Sequence, residues 1–148
     1  MRTPPAAAAL ISASLLAGCG AVQQIDKSQV HISLTAASPG TIHMGDKLSF
    51  QASQSGLNAP TFLWSILEDP PGSTTCVFKA LPPVPPSAST CKNGYIVLTS
   101  SEFAQPNTAD YYAPFAPGTY HVFLNVAQFD GFVTVGGNWE SWAVVVAP

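Results

Sequence analysis

The sequence predicts an all-β protein, an antiparallel β-sandwich of about seven short strands. Three observations carry that expectation. Apolar and polar residues alternate over several short runs, the period of a half-buried strand. Turn-forming residues separate these runs, and 14 prolines and 11 glycines punctuate the 148-residue chain. No stretch combines a 3.6-residue apolar period with helix caps around it.

Taken in order, "VHISLTA" (30–36) alternates Val30, Ile32 and Leu34 with His31, Ser33 and Thr35, and Pro39-Gly40 breaks it. "DKLSFQAS" (46–53) places Leu48, Phe50 and Ala52 on one face. "PTFLWSI" (60–66) does the same with Phe62, Trp64 and Ile66, and "EDPPGS" (68–73) then turns the chain. "GYIVLTS" (94–100) reads as a strand of denser hydrophobicity. "GTYHVFLNVAQF" (118–129) is the longest alternating run, with Tyr120, Val122, Leu124 and Val126 in phase. "VGGNW" (135–139) offers a turn, and "SWAVVVA" (141–147) closes the domain. No internal repeat is present.

The N-terminus, "MRTPPAAAALISASLLAGCG", has a different character. Arg2 precedes an apolar, small-residue stretch from Ala6 to Ala17. About a dozen residues are too few to cross a ~30 Å hydrocarbon core as a helix. A basic start, a short apolar region and small residues before a cut site describe a secretory signal peptide. Leu16-Ala17-Gly18-Cys19 resembles the lipobox of bacterial lipoproteins. The resemblance implies a diacylglyceryl thioether on Cys19, cleavage just before it, and further acylation, typically palmitate, on the new amine. Two or three acyl chains suffice for stable membrane anchoring. Gly20, where an aspartate would favour inner-membrane retention, implies the outer membrane in a host that has one, facing either the periplasm or the surface. The expected organisation is therefore a signal peptide at 1–18, a lipidated tether at 19–28 and one domain at 29–148.

Removing residues 1–18 leaves 130 residues, enough for one domain with its own core. Arg2 is the only arginine, so four lysines then face eight acidic residues, a formal charge of −4. That balance disfavours nucleic acid or an anionic membrane surface as a partner. With Cys19 acylated, Cys76 and Cys91 remain as a pair in an exported, oxidising setting, where a disulfide is expected. They bracket "VFKALPPVPPSAST", and closing a loop of about 15 residues is worth ~3 kcal/mol in the chain-entropy model. A zinc or redox pair is the alternative, but no CxxC occurs and no histidine stands near either cysteine in sequence.

Several landmarks resemble the immunoglobulin-like sandwiches of bacterial surface proteins, particularly the polycystic-kidney-disease (PKD) type. "FLWSILEDPPGS" (62–73) resembles that family's third strand and its Pro-Gly-Ser turn. "YYAPFAPGTYHVFLNV" (111–126) resembles its closing pattern, and "SPGTIHMGDKLSFQAS" (38–53) its opening one. The resemblance implies that Trp64 fills the space between two sheets and that Tyr120 forms a tyrosine corner, its hydroxyl bonded to nearby backbone. The family's "WDFGDG" variant is absent. Phe50 and Val122 stand in the strands where antibody domains carry their inter-sheet cysteines.

Chemistry-bearing patterns are sparse. There is no Gly-rich phosphate loop, HExxH, GxSxG or EF-hand pattern. His31 and His121 fall on the polar phase of their strands, and Glu68-Asp69 precedes Pro70-Pro71 in a turn. Asp46 and Asp130, each beside a glycine, are the weak candidates for a calcium loop. The expectation is no catalytic set, no metal and no cofactor. The segment "QFDGFVTVGGNWESW" (128–142) stands apart, because Phe132, Asn138, Trp139 and Glu140 there combine aromatic area with directed hydrogen-bonding groups. The expected function is a lipid-anchored envelope lipoprotein with a non-catalytic interaction or structural module, its partner an envelope protein or a glycan. A carbohydrate-binding module is the second reading, and a hydrolase accessory domain or cryptic hydrolase the third.

Overall fold

The computed structural model describes residues 22–38, 40–67, 75–99 and 106–148. The signal segment, Cys19 and the Glu68-Asp69 pair lie outside the described residues. Among the described residues nine strands follow a 3-10 turn at Lys27–Gln29. They are β1 (His31–Ala36), β2 (Ile42–His43), β3 (Lys47–Ser55), β4 (Thr61–Ile66), β5 (Val77–Phe78), β6 (Tyr95–Leu98), β7 (Thr108–Tyr112), β8 (Gly118–Asp130) and β9 (Val133–Ala147). Two sheets stack face to face, one ordered β1-β3-β7-β6-β5 and the other β2-β9-β8-β4. The protein is an all-β sandwich.

Alternation chose the buried faces. Leu48, Phe50 and Ala52 of β3 and Phe62, Trp64 and Ile66 of β4 are all buried, as are Val122, Leu124 and Val126 of β8. Each fully buried large aliphatic or Phe side chain contributes roughly 1.5–3 kcal/mol. Aromatics set the middle of the core: Phe50 lies between Trp64 at 6.3 Å and Trp142 at 6.1 Å, the latter edge-on. Trp142 is itself only partly buried, at the margin of that core.

Two pairings depart from the antiparallel expectation. β2 runs parallel to the end of β9, and β5 runs parallel to β6. In the first case one N-terminal strand is divided between the sheets: β1 pairs with β3, and after Pro39-Gly40 the chain pairs with β9 instead. In the second, the segment after Cys76 lies beside β6, with Ile96 N–H donating to Cys76 O at 2.8 Å.

Cys76 and Cys91 form a disulfide with a Cα–Cα separation of 5.7 Å. Both are buried in the main core, so the bridge also fills volume. Its loop returns through Gly94, whose φ of +88° and backbone contact leave no room for a side chain: a Cβ there would lie 2.4 Å from Tyr112 O. Beside it the fully buried Tyr111 donates its hydroxyl proton to Asn93 O at 2.8 Å. At the same end of the sandwich, where β8 begins, Tyr120 donates to Ala116 O at 3.0 Å.

Candidate functional site

The long β8–β9 hairpin carries the candidate surface. Its turn is not where the glycine pair suggested. Asp130 pairs with Val133, leaving the two-residue turn Gly131-Phe132, and Gly131 has φ +59°. A positive φ at the first central position is what a type II′ hairpin turn asks of glycine. Gly136 and Gly137 instead lie inside β9, paired with Gln128 and Ala127. They are small because neighbours press on them. A Cβ on Gly136 would lie 2.6 Å from Ile25 Cβ, and one on Gly137 would lie 2.8 Å from Val126 O. Asp130-Gly131 was the sequence signal for the turn.

Between Gln128 and Phe129 the register shifts, so that Val135 is the extra residue of a bulge. Val135 turns inward and is buried, and its carbonyl accepts from Ile25 N–H. The stretch expected to be a plain tether thus already belongs to the fold at Ile25. Asp26 caps the following 3-10 turn, its carboxylate accepting from Ser28 N–H and Oγ–H. These two bonds hold the Asp26 pKa below its ordinary value. Gln128 Oε1 accepts from Asn58 and Ala59 N–H, tying the β3–β4 loop to the same end of the sandwich.

The four singled-out residues do not form one cluster. Phe132 is fully exposed at the turn, and Trp139 lies seven positions further along β9. Asn138 and Glu140 pair with the buried Val126 and Leu124, so they take the inward phase while Trp139 takes the outward one. Asn138 is committed to structure: Nδ2 donates to Val30 O at 2.8 Å and Oδ1 accepts from Trp139 N–H. Glu140 accepts from its neighbour Ser141 N–H.

Trp139 gathers different neighbours. Its ring stacks on Phe123, centroids 5.4 Å apart, and the Lys27 ammonium lies 5.7 Å from the ring centre. In the register Leu63, Asn125 and Trp139 form one row across β4, β8 and β9, with Phe123 in the adjacent row. Leu63 and Trp139 are exposed. The outer face of the four-stranded sheet therefore carries the stacked pair Phe123 and Trp139, with Leu63 on the same face on the other side of Asn125. Leu63 and Phe123 were legible only as apolar residues on the outward phase of their strands, where alternation calls for polar ones.

The other candidates are not assembled. His31 lies in the five-stranded sheet and His121 in the four-stranded one. Asp130 is at the hairpin tip, whereas Asp46 sits beside Lys47 at the other end and accepts from His43 N–H at 2.9 Å. Among the described residues no group of three or more His, Cys, Asp or Glu is placed to hold a metal. A polar cluster that sequence reasoning missed joins Lys47 Nζ and Ser49 Oγ to Asp110, at 3.1 and 2.6 Å. The hydrogen bond to Asp110 and, after it, the charge of that carboxylate raise the Lys47 pKa. Its partners are 61 and 63 positions apart in sequence, which is why no local pattern revealed it. No model of a known protein family matches the chain, and no curated protein matches it.

Proposed function

We propose that this chain is a lipid-anchored lipoprotein of a bacterial cell envelope, whose sandwich is a non-catalytic interaction module of the immunoglobulin-like, PKD-like kind. The observation that carries the reading is the division of the three cysteines. Cys76 and Cys91 are bonded to each other inside the core, so the bridge does not involve Cys19, which ends the lipobox-like Leu16-Ala17-Gly18-Cys19. Its thiol is the group a thioether to diacylglycerol requires. Among the described residues the first backbone bond to the sandwich is made by Ile25, six residues after Cys19, a spacing suited to a short tether. The likeness to immunoglobulin-like domains rests on Trp64 buried between the sheets and on the Tyr120–Ala116 bond. Gly20 favours the outer membrane.

The interaction surface is the outer sheet face that carries Leu63, Phe123 and Trp139. Exposed apolar area centred on an aromatic is the usual mark of a protein-binding face. The test is chemical. Cys19→Ala abolishes radiolabelled acyl incorporation and leaves an unprocessed precursor. A mature wild-type chain that begins anywhere other than Cys19 refutes the anchor.

A second reading, glycan binding, has one observation in its favour, the half-exposed Trp139 indole on the outer sheet face. Lys27 already sits over that ring, so a sugar stacking there has to displace it. Glycan-array binding that is lost in Trp139→Ala favours this reading, and an array without signal removes it.

A further inference from the structure

We propose that the tip of the β8–β9 hairpin, Phe129, Phe132 and Val133, rests in the interface of the membrane that holds the chain, and so sets the sandwich upright on it. The proposal builds on the lipid-anchor reading, and its occupant is a phospholipid surface.

The direction of the N-terminal segment is the first argument. Val30 O accepts from Asn138 Nδ2, and Ile25 N–H donates to Val135 O. Followed backwards from Val30 to Ile25, the chain moves from position 138 of β9 to position 135. It therefore heads towards the turn at Gly131-Phe132. The six residues from Ile25 back to Cys19 can span at most about 20 Å when extended. Phe132 is three positions beyond Val135, roughly 10 Å at strand rise. A segment of that length can bring an acyl group on Cys19 to the level of the hairpin tip.

The shape of the tip is the second argument. β4 stops pairing with β8 at Ala127, Gln128 is bonded to the β3–β4 loop and Val135 is buried, so only the tip from Phe129 to Thr134 is exposed beyond the end of that sheet. At its extremity the turn leaves Phe132 fully exposed, flanked by the exposed Phe129 and Val133. Val22, on the segment leading to the anchor, is also exposed. Aromatic and aliphatic side chains grouped at an extremity suit shallow insertion at headgroup level. Asp130 stands beside the turn, and the mature chain is acidic, so apolar contact and not attraction to anionic lipid supplies the docking.

The test uses the full chain in vesicles of phosphatidylethanolamine and phosphatidylglycerol, with and without bromine-substituted acyl chains. Phe132→Trp places a reporter at the tip, where the wild-type side chain is fully exposed. Phe115→Trp places one at the opposite end, next to Gly45. The added emission at 132 is expected to shift to the blue and to lose much of its intensity to bromine, while that at 115 does neither. Mass spectrometry of the same preparation reads the acyl groups on Cys19. An acylated, vesicle-bound chain with no quenching at 132 overturns the docking and leaves the anchor standing. An unacylated chain mixed with the vesicles separates the two ideas. Quenching at 132 then keeps the docking and refutes only the anchor, and no quenching refutes both. A dimer in detergent that Phe132→Asp splits assigns the tip to a second copy of this chain and also overturns the proposal.

Discussion

The indole N–H of Trp64 donates to the carbonyl of Pro106 at 2.8 Å, across 42 positions of sequence and from one sheet to the other. Trp64 belongs to β4 of the four-stranded sheet, and Pro106 leads into β7 of the five-stranded one. The largest side chain of the core is therefore also a polar bridge between the layers. Phe at this position keeps most of the ring but leaves the Pro106 carbonyl without its donor. Trp64→Phe is expected to cost about 2 kcal/mol, the range for orphaning one buried acceptor. Urea unfolding at neutral pH measures it, and a cost near zero would show that the bridge contributes little.

Gly136 and Ile25 are in contact so close that one methyl group separates a fit from a clash. The atom met by an added Cβ is Ile25 Cβ, which sits directly on the backbone and can move only if the segment moves. Gly136→Ala is expected to destabilise the fold by roughly 1–3 kcal/mol, as overpacking does. In an Ile25→Gly background the same change costs much less. A double-mutant cycle reads the coupling, and additive costs would place the N-terminal segment away from the hairpin.

How much of this was legible in the sequence follows from the range over which each feature is encoded. The phases of β3, β4 and β8 were readable because Leu48, Phe50, Trp64 and Leu124 each repeat a two-residue period over a full strand. β7 was not, since "TADYY" offers only Ala109 and Tyr111 as its inward residues, and Ala109 and Asp110 are of types depleted in strands. β2 and β5 have two residues each, too few to carry any period. The hairpin was misread at its turn because Gly136-Gly137 looks like a chain reversal locally. Gly136 is explained only by the approach of Ile25, more than a hundred positions earlier, and Gly137 by the Val126 carbonyl of the partner strand. At the candidate surface Trp139 was visible as an outlier, but its partner Phe123 became visible only once the register of β8 and β9 was known.

The Cys76–Cys91 bridge closes a loop of prolines and serines that has little regular structure of its own. Cys76→Ala with Cys91→Ala frees that loop in the unfolded chain and empties two buried positions. The expected loss is about 3 kcal/mol, or roughly 10 °C in melting temperature for a domain of this size. Calorimetry of the double variant checks it. An unchanged melting temperature would mean that the loop is held by its neighbours alone.

Tyr111 gives the fold an alkaline limit. Burial holds its phenol pKa well above the ordinary value, with a smaller contribution from Tyr120. In the unfolded chain the phenol titrates near ~10. Above that pH the unfolded state has lost a proton that the native state keeps, so stability falls as pH rises. Below it the contribution is constant. Tyr111→Phe is expected to cost about 1 kcal/mol at pH 7 through the lost bond to Asn93 O, and to flatten the decline above pH 10. Denaturation midpoints at neutral and alkaline pH for both proteins decide the matter. Parallel declines would assign the alkaline sensitivity to another group.

Phe132 and Trp139, which the sequence presents as one binding element, are expected to behave as two. Phe132 touches nothing that its removal could disturb, so Phe132→Ala leaves stability within about 0.5 kcal/mol of wild type. Trp139 is half-exposed yet stacked on Phe123, and aromatic pairs of this kind contribute about 0.5–1.5 kcal/mol beyond their buried area. Trp139→Ala is therefore expected to lower the melting temperature by a few degrees, and Trp139→Phe to restore most of it. The functional consequences separate along the same line. If the outer sheet face is the interaction surface, photo-crosslinking from Leu63 in native envelopes weakens in Trp139→Ala and persists in Phe132→Ala. If the tip meets lipid, only Phe132→Ala changes the membrane-dependent protection of the hairpin amides from hydrogen exchange. A single defect common to both variants would join the two surfaces into one site, against the separation that β9 imposes on them.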